Sequence, residues 1–299
     1  MKLGFIGFGE AAYEMSSGLK QQVGLIDIIA YDPMWDHPTF GALVQGRAAQ
    51  TEVELVSGSE EVLKNVDLVI VAVPADRAYE VSNSLKPFLK IGSVYIDVSA
   101  STPDVKKQIS ANIKEKNVSF VDAAMMGPLP VYKHKVPILA SGDGTDAFID
   151  LMSPFGMDIT KVSDIPGEAS SVKLVRSIFM KGIAGLFIEM LDAAYAFNVH
   201  DYVLNSISET MDSKSFEFTL NRMVTGTSIH ALRRATELEG SIQMLEQANI
   251  DATLSKATKD KLKQISESNL REKFQGKTPD HWLEVITALH EESKVSVTG

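Results

Sequence analysis

The first half of the chain alternates short apolar runs with stretches of helical periodicity. Six runs rich in valine and isoleucine, each bounded by turn residues, predict buried strands at residues 2–7, 26–31, 53–56, 68–73, 94–98 and 118–121. Between them, the residue pattern predicts helices at residues 11–22, 60–64, 77–85 and 103–114. Strands and helices in alternation predict right-handed βαβ units and a doubly wound parallel sheet, which residues 137–162 are expected to extend.

The pattern changes near Pro166. Residues 169–197 contain no proline, and apolar residues recur every three or four positions, which predicts one helix of seven or eight turns. The remainder is also helical in character, at residues 201–211, 215–248, 254–271 and 279–292. We therefore expect two domains: an α/β domain over residues 1–165 and an all-α domain over residues 166–299, joined by the long helix.

Composition excludes several classes of function. The 299 residues include 29 basic and 39 acidic side chains, a net charge of −10, so neither nucleic acid nor an anionic membrane is an expected partner. There is no cysteine, and the six histidines lack metal-binding spacing, so no metal site is expected. No apolar run has the roughly 20 residues of a membrane span. The N-terminus does not resemble a signal peptide, and the expected location is cytoplasmic.

A glycine-rich turn follows the first predicted strand and opens the first helix. The residues Gly7-Phe8-Gly9-Glu10-Ala11-Ala12 give the pattern G-x-G-x-x-A. The first glycine permits a tight turn, the second allows a pyrophosphate to approach the backbone, and the alanine lets the helix pack closely on the strand. The helix N-terminus adds free N–H groups and partial positive charge. This combination predicts a Rossmann-type dinucleotide-binding domain.

Three further strand ends are expected at the same crevice. Asp32 ends the second strand, where a carboxylate would accept hydrogen bonds from ribose hydroxyls and repel a 2′-phosphate, so NAD is favoured over NADP. Val73 and Pro74 end the fourth strand, and Ser99 ends the fifth. Ligands in open α/β sheets bind beyond the carboxyl ends of the strands, which makes these residues candidates for cofactor binding.

Several motifs resemble those of the β-hydroxyacid dehydrogenase group, which includes enzymes similar to 3-hydroxyisobutyrate and 6-phosphogluconate dehydrogenases. GFIGFGEAA resembles the family's GFIGLGxMG, VAVPAD its MLP turn, and DVSASTP its DMSTISP. VDAAMMGP falls where the family has its substrate-binding DAPVSGG, and Gly167-x-Ala169-x-x-x-Lys173 aligns with GxGxxxK. The resemblance covers about 200 residues and implies that Lys173 is the catalytic residue. The helical remainder is more similar to a phosphogluconate dehydrogenase-like subgroup with a divergent C-terminal domain.

The chain also departs from the family's motifs at positions that contact substrate. Arg176 and Ser177 stand where the family has an asparagine, and Met126 replaces the serine of DAPVSGG. The resemblance therefore implies a substrate site near Ser99, Met126, Gly127, Arg176 and Ser177, but it does not identify the substrate. His230, in the helical part, is a further candidate for substrate binding.

The chemistry of Lys173 agrees with an acid/base role. Oxidation of an alcohol needs a group that accepts the hydroxyl proton while a hydride leaves, and a lysine can do so if burial or a cationic neighbour lowers its pKa. Arg176, one turn further along, is a candidate for that neighbour and for binding a substrate carboxylate bidentately. These features predict an NAD-dependent dehydrogenase or reductase that acts on a small hydroxy acid or oxo acid.

Two alternatives stay open: an imine reductase-like enzyme and a non-catalytic dinucleotide-binding scaffold. Imine reductases usually have another residue at the lysine position, and retention of Lys173 with the glycine turn argues against a scaffold. The expected substrate is a small anionic carboxylate. A homodimer through the helical domain is expected, both because that domain has more apolar helix than a small bundle buries and because the resembling families form such dimers.

Overall fold

The computed structural model describes residues 2–24 and 27–297, with side chains described as far as residue 291. The described strands are β1 (Lys2–Ile6), β2 (Asp27–Tyr31), β3 (Glu54–Leu55), β4 (Leu68–Val71), β5 (Val94–Asp97), β6 (Ser119–Met125), β7 (Ile138–Ser141) and β8 (Ile159–Ser163). The predicted start of the second strand, Ile26, lies outside the described residues.

The eight strands form one sheet in the order β3-β2-β1-β4-β5-β6-β7-β8. The first six strands in the chain pair in parallel, and their order is that of a dinucleotide-binding Rossmann domain. The order reverses between β1 and β4, which is the point where such sheets bind ligands. The predicted Rossmann-type fold, followed by helices, is confirmed.

Residues 137–162 extend the predicted parallel sheet, but β7 runs antiparallel to β6, with Ser141 opposite Asp122. A parallel connection needs a crossover that is usually a full helix. The connection from β6 to β7 contains only a one-turn helix, Leu129–Tyr132, and a short 3-10 turn, Lys133–Lys135. The chain therefore turns back beside β6, and β8 then adds in parallel to β7.

Helices cover both faces of this sheet. They are α1 (Glu10–Leu19), α2 (Gly41–Gln50), α3 (Ser59–Asn65), α4 (Ala78–Leu85), α5 (Pro103–Lys114), α6 (Leu129–Tyr132) and α7 (Thr145–Met152). One face buries a core that includes Phe5, Phe8 and Phe148, and the other buries a core that includes Tyr95 and Phe120. Burial on both faces explains why the central strands have continuous apolar sequences.

The long predicted helix is α8 (Glu168–Ala196). The helices that follow are α9 (His200–Asp212), α10 (Phe216–Gln247), α11 (Thr253–Ser266), α12 (Leu270–Lys273) and α13 (Trp282–Val297). The single helix predicted at residues 254–271 is divided into α11 and α12, because Asn269 adopts a left-handed backbone conformation with φ 49°. In the described part of the chain, every helix is too short or too polar to cross a membrane.

The chain divides into two compact units, residues 1–178 and 179–299. The division falls within α8, so the first turns of that helix belong to the unit that contains the sheet. The domain boundary expected at residue 165 stays a prediction.

Candidate active site at the carboxyl ends of the strands

Gly7 follows β1 directly and lies against the end of β4, at the point where the strand order reverses. Its backbone has φ +85°, which favours glycine, and a Cβ atom at this position would collide with the carbonyl oxygen of Ala72. The N–H of Gly7 donates to Tyr31 O of β2 at 2.8 Å. The tight turn therefore depends on a residue without a side chain, as the sequence pattern predicts.

The N-terminus of α1 fits a dinucleotide phosphate. Gly9 is the N-cap residue and supplies no side chain to the first N–H groups of the helix. Apart from its neighbours in the chain, no heavy atom of the described residues lies within 4 Å of the position its Cβ would take. Ala12 is completely buried, which allows the helix to pack closely. Glu10 and Ala11 thus present backbone N–H groups beside open space, the arrangement that favours an anionic group.

Phe8 contributes differently from its neighbours in the turn. Its ring is completely buried and lies edge-on to Phe5, with 6.3 Å between the ring centroids. Its N–H donates to Asp32 Oδ2 at 2.6 Å. Phe8 therefore anchors the turn to β2 and to the core.

Asp32 is held in place by two backbone donors. Oδ2 accepts from Phe8, and Oδ1 accepts from the N–H of Met34 at 2.8 Å. The residue is 9% exposed. A carboxylate has about four lone-pair positions, so capacity remains for ribose hydroxyls after these two bonds are made.

The ends of β4 and β5 are joined by a short chain of hydroxyl groups. Ser101 Oγ donates to Ala75 O, 2.9 Å away, just after Val73 and Pro74. Since Ser101 uses its only hydroxyl proton there, the 2.8 Å contact between Ser99 Oγ and Ser101 Oγ is a donation from Ser99. Ser99 therefore offers lone pairs to a ligand, and it would accept from a hydroxyl or amide better than it would bind a carboxylate.

A completely buried cluster of charges lies under these loops. The ammonium of Lys106, from α5, is 3.2 Å from Asp97 Oδ2 and 3.3 Å from Asp122 Oδ1. It also donates to the carbonyl oxygens of Asp97 at 3.0 Å and Ser99 at 2.9 Å. All three charged side chains are inaccessible to solvent. Lys106 thus connects β5, β6 and the loop that contains Ser99.

The N-terminus of α8 is attached to the same cluster. Asp122 accepts from Ser170 twice, from its N–H at 2.8 Å and from its hydroxyl at 2.7 Å. Ala169 N–H donates to Ser141 Oγ of β7 at 3.0 Å. A carboxylate at a helix N-terminus also interacts favourably with the helix dipole. These contacts fix the first turn of α8, from which Lys173 projects one turn later.

Lys173 is half-buried, and its pKa is lowered from the usual lysine value. Burial is the main cause, and the ammonium of Lys106 lowers the pKa further, whereas the carboxylate of Asp122 acts in the opposite direction. Arg176, the expected cationic neighbour, is exposed and is not among the groups that shift the pKa of Lys173. Lys106 is the cation that lowers this pKa. Ser177, on the same helix, is half-buried.

The remaining candidates lie in two places. Met126 and Gly127 follow β6, where Met126 N–H donates to Pro137 O at 2.8 Å, and both are half-buried. His230 belongs to the second compact unit. It interrupts the regular geometry of α10, with φ −115° and ψ 16°, and lines a cavity of about 550 Å³ together with Arg233 and Arg271.

Sequence reasoning missed the roles of Asp97, Lys106 and Asp122. A signal for Lys106 is present, because it shares the apolar face of α5 with Ile109 and Ile113, and all three side chains are buried. A lysine on the buried face of an amphipathic helix requires a charged partner. The sequence gives no indication of which strands supply that partner.

Comparison with known families gives two matches. Residues 2–152 match the NAD binding domain of 6-phosphogluconate dehydrogenase, and residues 194–265 match a domain of unknown function, DUF1932. The chain belongs to the family of the 6-phosphogluconate dehydrogenase NAD binding domain, which confirms the resemblance inferred from the motifs. It therefore contains an NAD-binding domain.

Two curated proteins illustrate the range of relatives. An uncharacterized 28.5 kDa protein of Methanothermus fervidus is 28% identical over 274 residues, which are 89% of this chain and 100% of that protein. Mitochondrial 3-hydroxyisobutyrate dehydrogenase of Mus musculus is 23% identical over 204 residues. That match covers 66% of this chain and 56% of the mouse enzyme, so it spans little more than half of the enzyme's length.

Solved structures show the same fold over most of the chain. A conserved hypothetical protein from Sinorhizobium meliloti 1021 has 29% identity and a TM-score of 0.61, with 98% of this chain and 96% of that chain covered. A conserved protein of unknown function, described as structurally similar to 3-hydroxyacid dehydrogenases, has 26% identity and a TM-score of 0.61, over 89% and 98% of the two chains.

Imine reductases share this fold at lower identity. A variant imine reductase from Myxococcus stipitatus in complex with NAD+ has 14% identity and a TM-score of 0.75, over 96% of this chain and 98% of that chain. A second structure from this species holds NADP+, with 13% identity, a TM-score of 0.68, and 90% and 95% of the two chains covered. At this identity the likeness concerns the fold, and the two complexes contain different cofactors.

Proposed function

We propose that the protein is an NAD-dependent oxidoreductase that transfers a hydride between nicotinamide and a small hydroxy acid or oxo acid. When bound, the nicotinamide accepts or supplies the hydride. The observation that carries the proposal is the environment of Lys173, a half-buried lysine of lowered pKa on a helix whose first turn is bound to Asp122 of β6 and Ser141 of β7.

Lys173 would serve as the general acid/base. A neutral amine accepts the proton of a substrate hydroxyl during oxidation, and an ammonium donates a proton to the carbonyl oxygen during reduction. The lowered pKa brings the two forms closer in population at neutral pH than an ordinary lysine allows. Oxidation is therefore expected to speed up, and reduction to slow down, as the pH rises through the pKa of Lys173.

Other residues would orient the substrate around this lysine. Arg176 and Ser177 share the helix face of Lys173 at one turn's distance. Ser99 would accept a hydrogen bond from a substrate hydroxyl or from the nicotinamide amide, and the backbone at Gly127, next to Met126, would close the site. His230 stays a proposed substrate-binding residue, at the cavity of the second compact unit.

Two competing functions are weighed against this one. The full-length structural likeness to imine reductases favours a reductase of cyclic imines, but Lys173 favours chemistry that needs an acid/base for a hydroxyl group. A non-catalytic scaffold would bind the dinucleotide without turnover.

The test is NADH oxidation with a panel of small oxo acids and cyclic imines, accompanied by direct measurement of NADH binding. Turnover with an oxo acid is expected. Turnover with imines alone would establish the imine reductase function, and binding without any turnover over a broad panel would establish the scaffold.

Replacement of Lys173 tests the mechanism. Lys173→Ala is expected to lower turnover by about 10²–10⁴-fold, the usual contribution of a positioned acid/base group, while NADH affinity changes little. Steady-state kinetics and a binding titration measure both. Lys181→Ala, which removes an exposed lysine from the same helix, is the matched control. A loss smaller than about tenfold would show that Lys173 is not the acid/base group.

Two finer proposals complete the assignment. Asp32 would select NAD over NADP, because its carboxylate lies where a 2′-phosphate would have to be accommodated. The second compact unit would form a homodimer, since α8 and α9 expose large apolar side chains, among them Ile188, Tyr195 and Tyr202.

A further inference from the structure

The cluster around Lys106 contains two carboxyl side chains and one amine. Asp97 and Asp122 are two buried carboxylates, and Lys106 is the one completely buried cation between them. Tyr95, on the same face of β5 as Asp97, stays a neutral phenol, because burial and the nearby carboxylate raise its pKa. Among the described residues that interact with the cluster, the second cation is Lys173 of α8.

The hydrogen bonds of the cluster lead from the loop that contains Ser99 to Ser170, in the first turn of α8. Lys106 donates to Ser99 O and contacts Asp97, whose Oδ1 accepts from Ser99 N–H at 2.8 Å. Lys106 also contacts Asp122, which accepts both protons of Ser170. Lys173 follows Ser170 by three residues, nearly one turn of α8. No member of this pathway is exposed to solvent before Lys173 itself.

We propose that Lys106 is a positioning residue for Lys173: it ties the Ser99 loop to Asp122 and, through Asp122, to the start of α8, and its positive charge acts on the Lys173 amine. The inference deepens the proposed function, in which Lys173 is the acid/base. It assigns to a buried lysine a role beyond packing. Two members of the cluster then act on Lys173 in opposite directions, because Lys106 disfavours its protonated form and Asp122 favours it.

The test measures Lys173 directly, without substrate or cofactor. The full-length protein is labelled with acetic anhydride, which reacts with neutral amines, over a series of pH values, and the extent at each lysine is measured by mass spectrometry. The midpoint of the profile reports the protonation of Lys173, and the plateau rate reports its accessibility. Lys181, exposed on the same helix, is the internal reference.

Two variants separate electrostatics from loosening of the structure. Removal of Lys106 alone would leave two buried carboxylates uncompensated, which is strongly destabilising, so Lys106 is replaced together with one partner in Lys106→Met/Asp97→Asn. The second variant, Asp122→Asn, keeps a hydrogen-bond acceptor for Ser170 and leaves Lys106 paired with Asp97. Circular dichroism and thermal melting establish that each variant is folded.

The two midpoints are expected to move in opposite directions. In Lys106→Met/Asp97→Asn the neutral fraction of Lys173 at pH 8 should fall by about threefold or more, and in Asp122→Asn it should rise by a similar factor. Loosening alone would admit water, reduce the effect of burial and move both midpoints upward.

An unmoved midpoint in either folded variant, or shifts in the same direction, would overturn the proposal. If only Asp122→Asn folds, a downward midpoint supports the proposal and an upward midpoint overturns it. If only Lys106→Met/Asp97→Asn folds, an upward midpoint at an unchanged plateau rate supports the proposal, and an increased plateau rate, which reports loosening, overturns it. If neither folds, the cluster serves stability and the proposal fails. If the midpoints shift in opposite directions but none of the tested substrates supports NADH oxidation, the role of Lys106 is supported and the proposed function is refuted. If an oxo acid supports NADH oxidation but the midpoints do not shift in this way, the proposed function is supported and the role of Lys106 is refuted.

Discussion

The carboxylate of Asp32 has two backbone donors before any cofactor is considered, Phe8 N–H and Met34 N–H. The same side chain therefore shapes the glycine turn and defines the ribose end of the proposed NAD site. A substitution at this position has two effects. It weakens the turn, which affects all dinucleotides alike, and it removes a charge, which affects a 2′-phosphate selectively.

Comparison of the affinities for NADH and NADPH isolates the effect of the Asp32 charge on the 2′-phosphate, because weakening of the turn affects both cofactors alike. We expect the wild-type protein to bind NADH more tightly than NADPH. Asp32→Ala should reduce the ratio of the two affinities by about 10–100-fold, corresponding to about 1.5–3 kcal/mol for hydrogen bonds to a charged group. Fluorescence titration of both cofactors measures the ratio. Asp32→Asn, which keeps the shape of the side chain, should narrow the gap as well. A wild-type preference for NADPH would refute the assignment.

Arg176 is exposed on the same helix as Lys173, and in the described part of the chain no ion pair is formed by its guanidinium. We expect Arg176→Ala to raise the Michaelis constant for an acidic substrate by about 10–100-fold, about 1.5–3 kcal/mol for a charge-assisted hydrogen bond. Arg176→Lys should restore only part of the lost affinity for the acidic substrate, because an ammonium cannot bind a carboxylate bidentately.

Steady-state kinetics with an acidic and a neutral substrate provides the control, since the neutral substrate should be affected less. If the alanine variant binds acidic substrates normally, Arg176 has no role in anion recognition. His230 and Arg233, which line one cavity in the helical unit, would then be the next residues to replace.

At the scale of elements, the start of α8 is the feature that positions Lys173. Gly167 precedes the helix with φ +93°, and a Cβ atom there would lie 2.6 Å from the carbonyl oxygen of Pro103, at the start of α5. Ala169 is completely buried against Ser141. The G-x-A-x-x-x-K pattern thus has a physical basis: the glycine allows the start of α8 to approach the start of α5, and the buried alanine lies at β7.

Replacement of this glycine tests that interpretation. Gly167→Ala is expected to destabilise the protein by about 1–3 kcal/mol, because a non-glycine residue is strained at this φ and its Cβ would displace backbone. Urea denaturation measures the free energy of unfolding. Gly46→Ala, within α2, should instead stabilise by about 0.5–1 kcal/mol, because outside the helix's own backbone no atom of the described residues lies within 4 Å of the added Cβ. Equal effects of the two substitutions would contradict the proposed packing.

The elements show what a single sequence can and cannot predict. Strands β4 and β5 were predictable because burial on both faces requires continuous apolar residues. Helix α2 was not predicted, since Gly41 and Gly46 weaken its helical pattern. The antiparallel direction of β7 was missed, because an apolar run has the same appearance in either direction.

The candidate site was predictable in part for a related reason. The glycine turn and the lysine motif are local in sequence, so their residues can be recognised by spacing. The cluster of Asp97, Lys106 and Asp122 unites two strands and a helix. Its members are recognisable only when the neighbours of each element are known, and periodicity does not specify them.

At the scale of the whole molecule, the net charge of −10 opposes an acidic substrate. Recognition of a carboxylate must then come from a local group, because interactions between exposed charges are screened beyond about 8 Å at physiological ionic strength. Arg176 is the group to which the proposed function assigns this role. The overall charge affects the rate of encounter with an anion more than its final binding.

The apolar surface of the helical unit leads to the last prediction. Ile188, Tyr195 and Tyr202 are 71%, 78% and 81% exposed in a single chain, and exposed apolar patches of this kind mark interfaces. We expect light scattering at micromolar concentration to give at least twice the 32.6 kDa of one chain. Ile188→Glu should shift the equilibrium toward the monomer, because a dimer would bury the added charge without a partner. Val23→Glu, at a position 99% exposed in the other unit, should leave the mass unchanged. A particle of 32.6 kDa in the wild-type protein would refute the homodimer.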